Sequence, residues 1–148
     1  MQKNLDLIHT SKIEIHTDGS CKLNDGKNEG THALVVTVGR KVLLEYAGYN
    51  KVTTNNKEEL QALILAVQIA KEFPDYKFYV KSDSQYSLNT LFGTFNGTKN
   101  KDLQQTFTAF KDVKNYNVEY IKGHDGNVLN NYADMLCELK YKTVKNER

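Results

Sequence analysis

Tryptophan is absent from these 148 residues, proline occurs once and cysteine twice. Cys21 and Cys137 are too few for a disulfide framework, and their spacing matches no zinc pattern. A reduced, cytoplasmic setting is the expectation that follows. No stretch approaches the ~18 consecutive apolar residues of a membrane-spanning helix. The opening MQKNLDLIHTSK holds no apolar signal core, so no membrane association is expected. A strong excess of one charge is also missing. The net charge is +2 and the pI about 8.4, short of the pI above ~9 of many dedicated nucleic-acid-binding domains. Charge alone therefore neither requires nor excludes a nucleic-acid partner. With 39% hydrophobic and 26% charged residues, the chain has an ordinary globular composition. Its length predicts one domain over 1–148, and its C-terminal stretch is basic.

Apolar residues alternate along 12–17 (KIEIHT), which predicts a strand. Asp18-Gly19-Ser20 is read as its stop, followed by a polar loop to about Gly30. The runs 33–38 (ALVVTV) and 42–49 (VLLEYAGY) flank Gly39-Arg40-Lys41 and predict a hairpin. Leu60, Leu63, Ile64, Val67, Ile69 and Ala70 then recur at helical spacing. Thr54, Asn55 and Asn56 are candidate caps of that helix; Glu58 and Glu59 suit its positive end, and Pro74 stops it. A short strand at 77–81 precedes Ser82-Asp83-Ser84, and helices are expected at about 85–92 and 101–113. A last strand at 117–121 leads through Gly123-His124 to a helix at about 130–145. That helix ends in Lys140, Lys142 and Lys145, cations that complement its negative end. The order βββαβα(α)βα predicts an α/β fold: a mixed five-stranded sheet, three strands antiparallel and the others parallel, flanked by helices.

Asp18 at the end of one strand, Asp83 at the end of another and Glu59 in the first helical turn fall where α/β sheets build ligand sites. Asp134, near the start of the last helix, can reach the same edge. Four carboxylates gathered there repel one another, so they must protonate or bind cations. Oxygen donors without clustered Cys or His favour Mg²⁺ or Mn²⁺ over Zn²⁺, and such a site suits phosphodiester hydrolysis. Singly, each residue is equally an ordinary turn, cap or helix-start anion. The spacing alone leaves both readings open.

Five ordered segments resemble type 1 ribonuclease H: Thr17-Asp18-Gly19-Ser20-Cys21, Thr54-Asn55-Asn56-Lys57-Glu58-Glu59-Leu60, Ser82-Asp83-Ser84-Gln85-Tyr86, Lys122-Gly123-His124-Asp125-Gly126 and Asn130-Asn131-Tyr132-Ala133-Asp134. The resemblance runs from about residue 12 to 142 and implies the ribonuclease H-like fold. It implies hydrolysis of the RNA strand of RNA–DNA hybrids, leaving 3′-hydroxyl and 5′-phosphate ends. Asp18, Glu59, Asp83 and Asp134 would hold two Mg²⁺ ions, with Mn²⁺ as the alternative, and His124 would move protons or assist product release. Asn24, Asn55 and Gln85 match positions of minor-groove contact, Asn56 of a DNA-side contact and Thr54 of a phosphate contact. A monomer is expected, and a partner protein is left open.

Three features depart from the family's pattern. The stretch after Cys21 is not Pro/Gly-rich, and His32 stands where a small residue is usual. The segment 91–113, whose cations are Lys99, Lys101 and Lys111, lacks the basic handle that many members use to grip the hybrid. These departures motivate two competing readings, a non-catalytic binding module and a DNA nuclease on the same fold. The full acidic set weighs against the first, and the match around Asn55, Gln85 and His124 against the second.

Overall fold

The computed structural model describes residues 12–92, 100–122 and 128–147. Its elements are β1 (Ile13–Asn24), β2 (Lys27–Val38), β3 (Lys41–Asn50), α1 (Asn55–Glu72), β4 (Phe78–Ser82), α2 (Gln85–Phe92), α3 (Lys101–Thr108), β5 (Tyr116–Tyr120) and α4 (Val128–Asn146). The sheet order is β3-β2-β1-β4-β5. β1, β2 and β3 are antiparallel neighbours, while β4 runs parallel to β1 and β5 parallel to β4. This is the mixed sheet that the element order predicts.

Alternation along the strands builds two cores. Ile13, Ile15, Leu34, Val36, Val38, Phe78 and Val80 pack against Leu63, Ala66 and Ala70 of α1. On the opposite face, Ala33 and Ala47 meet Tyr132, Leu136 and Cys137 of α4. Adjacent residues Ala33 and Leu34 serve different cores because successive strand side chains point to opposite faces. The two helices thus clamp the sheet from both sides, and Leu60, Leu63, Ile64, Val67 and Ala70, which recur at helical spacing, lie on the buried face of α1. α1 ends before Pro74, and Asn115 Nδ2 lies within 3.0 Å of the carbonyls of Ala70, Phe73 and Tyr76, satisfying that helix end. No helix among the described residues is long and apolar enough to cross a membrane. Cys21 and Cys137 are free thiols.

Two expectations need correction. β1 does not stop at Asp18 but continues to Asn24, and β2 begins at Lys27. The residues read as a loop are a long hairpin closed by Asp25 and Gly26, at φ 52° and 76°. Two successive positive φ values are the signature of a tight turn whose twist matches its strands. The polar residues Lys22, Asn24, Lys27 and Asn28 hide this pairing, because the hairpin tip has no core face to mark with apolar side chains. The second correction concerns α3, which ends at Thr108 rather than near 113. Phe107, at the end of this shorter helix, packs edge-on against Phe92, 5.2 Å between ring centres.

Candidate active site

In the parallel pair β1–β4, Ile15 lies beside Val80 and His16 beside Lys81. Continuing that register sets Asp18 level with Asp83, just past the end of β4 at Ser82. Thr17 Oγ1 donates to the Lys81 carbonyl at 3.2 Å, and Ser84 N donates to Ser82 Oγ at 3.1 Å, which fixes both chains here. Ser84 Oγ also accepts from Ser87 N at 3.1 Å, the expected cap of α2.

Glu59 arrives on α1. Thr54 caps this helix, its Oγ1 accepting from Lys57 N at 3.2 Å, and Glu59 falls one residue beyond the first turn. Gly19 brings helix and strand together. A Cβ on residue 19 would stand 2.5 Å from Glu59 N and 2.7 Å from Glu58 C, so only glycine permits the approach. Gly19→Ala is therefore expected to push α1 off β1, costing about 1–3 kcal/mol of stability. Because a misplacement of ~1 Å at a reacting centre can cost ~100-fold, cleavage should fall further than stability explains. Denaturant unfolding and kcat, measured on the same preparation, check this.

Asp18, Glu59 and Asp83 each offer a carboxylate oxygen within 4.8 Å of the others. Asp18 and Glu59 are buried and Asp83 half-buried. Burial pushes Asp18 up to about 7, reinforced by the Asp83 and Asp134 charges and opposed by the Gly19 N–H at 2.9 Å. Burial also pushes Glu59 up, to about 10, with the Asp18 and Asp83 charges adding to it. Each carboxylate thus raises the cost of ionising its neighbour, so the pair retains a proton at neutral pH.

Glu59 Oε2 is buried without a hydrogen-bond partner. A buried polar atom left unpaired calls for an explanation, and an ion is one. Crowded carboxylates, an unpaired inward oxygen and hard donors fit a divalent cation such as Mg²⁺ or Mn²⁺.

Asp134 stands close enough for its charge to raise Asp18, yet outside the group of three. Its neighbour Ala133 is buried on α4, as are Leu136 and Cys137. Thr31 Oγ1 donates to the Cys137 carbonyl at 3.2 Å, and Cys137 Sγ contacts the Asp18 carbonyl at 3.8 Å. Lys22 pairs with Glu138 at 2.7 Å, and Tyr132 Oη donates to Glu45. These contacts hold α4 over β1 with Asp134 at the rim of the cluster. Burial, then the nearby Asp18, Glu59 and Asp134 charges, push the Cys137 thiol far up, so it stays protonated.

Asn55, Asn56 and Gln85 are exposed on the first residues of α1 and α2, and Thr54 is exposed beside them. Asn24 sits at the hairpin tip, six residues and roughly 20 Å along β1 from Asp18. Its Nδ2 lies 3.5 Å from Glu29 Oε2. His124 lies outside the described residues. One residue of consequence is not picked out by its sequence position. Glu58, which reads as an anion suited to the helix start, is fully buried against His32 and Asn50. Its only sequence signal is the unusual His32.

A mixed sheet of this order, with a helix clamped on each face and carboxylates meeting past its parallel central strands, is the ribonuclease H-like fold. The RNase H family model matches residues 10–141, and the chain belongs to that family. A ribonuclease H of Caldicellulosiruptor saccharolyticus is 32% identical over 148 residues, covering 90% of this chain and 99% of its own. One from Chlorobium phaeobacteroides strain BS1 is 33% identical, covering 93% and 98%. Among solved structures, LC11-RNase H1 in complex with an RNA/DNA hybrid superposes with a TM-score of 0.70 at 26% identity, covering 86% of this chain and 95% of that one. These relatives make the chain a hydrolase of the ribonuclease H class.

Proposed function

We propose that this chain cuts the RNA strand of RNA–DNA hybrids with two Mg²⁺ ions held by Asp18, Glu59, Asp83 and Asp134, leaving 3′-hydroxyl and 5′-phosphate ends. The observation that carries the reading is the carboxylate cluster with its unpaired Glu59 Oε2, on a chain of the RNase H family. The hybrid seen with LC11-RNase H1 supports the substrate. When bound, the two cations supply charge stabilisation at the phosphate and activate water for in-line displacement.

The chain's own residues do the rest. Asp18 and Glu59 would hold the cations, and the proton that the metal-free pair keeps at neutral pH would pass to solvent on binding. Asp83 completes the inner donor set, and Asp134 adds the outer one. His124 takes or returns protons, which an imidazole titrating near 6.5 can do around neutrality. Asn24, Asn55 and Gln85 read the 2′-hydroxyls, since amides both donate and accept and that hydroxyl distinguishes RNA from DNA. Asn56 contacts the DNA side. Thr54 uses its hydroxyl proton toward a DNA phosphate, its oxygen being already engaged as the helix cap.

Incubation with a hybrid labelled on either strand tests this. Cleavage of the RNA strand alone, only with Mg²⁺ or Mn²⁺, and with extendable 3′-hydroxyl ends is expected. Cleavage of the DNA strand, or no metal-dependent cleavage, contradicts the proposal. The segment 91–113 has few cations, so grip on the backbone is modest. For about four neutralised phosphates, hybrid KM should rise on the order of 100-fold between 50 and 200 mM salt. A flat salt dependence would mean that contacts other than phosphate hold the substrate.

A further inference from the structure

We infer that Glu58, held by His32 and Asn50, is a positioning residue that sets the roll of α1 and so aims its neighbour Glu59 at Asp18 and Asp83. The inference rests on the functional reading above and adds a component to the same site. Glu58 is 0% exposed and His32 3%. His32 Nδ1 lies 2.8 Å from Glu58 Oε2. Asn50 Nδ2 reaches Glu58 Oε1 at 2.8 Å, Glu58 Oε2 at 3.1 Å and Gln61 Oε1 at 2.8 Å. One carboxylate on α1 is thereby tied to β2 and β3 together.

The backbone around it is cleared for this arrangement. In register, His32 lies opposite Gly19 on β1 and Gly48 on β3. A Cβ at residue 48 would come within 2.6 Å of His32 Cε1, and one at residue 30 within 2.7 Å of Glu58 Cγ. Gly19 admits the backbone of Glu59 in the same row. The missing Cβ atoms of Gly48 and Gly30 thus leave room for the imidazole and for the Glu58 side chain.

Burying a carboxylate is costly unless it is well hydrogen-bonded, so Glu58 has one favourable place to be. Successive residues of a helix point about 100° apart. Pinning Glu58 inward therefore fixes where Glu59 points. The Gly19 contact sets the distance of α1 from β1, and the Glu58 clamp sets its rotation.

The test compares Mn²⁺ binding to the free protein by calorimetry with steady-state cleavage of the hybrid. His32→Ala removes one of the two partners of Glu58 and leaves Asn50. It should weaken Mn²⁺ binding by about 10-fold and lower kcat by about 10–100-fold, as supporting shells of metal sites do, with hybrid KM unchanged. His32→Asn returns a donor close to the place of Nδ1 and should recover most of both quantities. Gly48→Ala displaces the imidazole without deleting a polar group and should reproduce the loss. If His32→Ala fails to fold, the Asn and Gly48 variants decide. Folded variants with wild-type Mn²⁺ affinity and kcat would overturn the inference, as would an Asn variant no better than Ala. If the wild-type protein does not cleave the hybrid, the proposed function fails, while the Mn²⁺ comparison still judges the positioning role.

Discussion

Asp83→Asn should lower kcat for the hybrid by on the order of a thousandfold or more while leaving the fold intact. Asp83 lies just past the end of β4, half-buried, with an oxygen in the cluster formed with Asp18 and Glu59. The amide keeps the shape and removes the negative charge that attracts a cation. A bound cation contributes several kcal/mol to stabilising charge in the transition state, and about 4 kcal/mol corresponds to roughly a thousandfold in rate. The same charge raises Asp18 and Glu59. Its removal relieves repulsion, so the metal-free variant should melt at the wild-type temperature or above. Single-turnover cleavage at saturating hybrid, paired with thermal melts, checks both halves. A variant that is both inactive and unfolded would show a structural role for Asp83 instead.

The second large effect is on stability. Without metal, the protein should become less stable as pH rises above neutrality, and Mg²⁺ should reverse the loss. Glu59 has an ordinary value of 4.5 but is pushed up to about 10 in the folded chain, first by burial and then by Asp18 and Asp83. Between those values the folded state holds a proton that the unfolded chain has released, so stability falls as pH increases. Asp18, raised from 3.8 to about 7, acts in the same direction but only up to about that pH. His16 opposes them in more acidic solution, because burial lowers it from 6.5 and its neutral form favours the fold. The clean window is therefore above about pH 6.5. One extra proton is worth ~1.36 kcal/mol per pH unit, or about 3 kcal/mol between pH 6.5 and 8.5. A cation replaces that proton and favours the charged carboxylates. Melts with chelator and with Mg²⁺ across this window should diverge as pH rises. Parallel curves would indicate that the cluster binds no metal.

The sheet and its two covering helices are readable from the sequence because each buries a face of fixed period. Ala33 to Val38 and Leu60 to Ala70 carry that period in their apolar residues. The β1–β2 hairpin tip carries none, since its side chains meet water, and only Asp25-Gly26 marks it. Reading that pair as loop hides how far β1 extends beyond Asp18. The candidate site divides in the same way. Asp18, Glu59 and Asp83 are legible from their places near element ends, although Asp18 lies within its strand and Glu59 just past the first turn. Glu58 is not legible alone, because an acid at a helix start is ordinary and its burial depends on His32 and Asn50 from two other strands. The rim position of Asp134 depends likewise on how α4 packs, through its Cys137, over Thr31 and the Asp18 carbonyl.

Whether the carboxylate cluster binds catalytic cations is decided by locating Mn²⁺ by anomalous scattering in crystals of the protein. One peak within coordinating distance of Asp18, Glu59 and Asp83, and a second near Asp18 and Asp134 when hybrid is present, are predicted. Saturating Mn²⁺ with no peak between Asp18, Glu59 and Asp83 would contradict cation binding by the cluster.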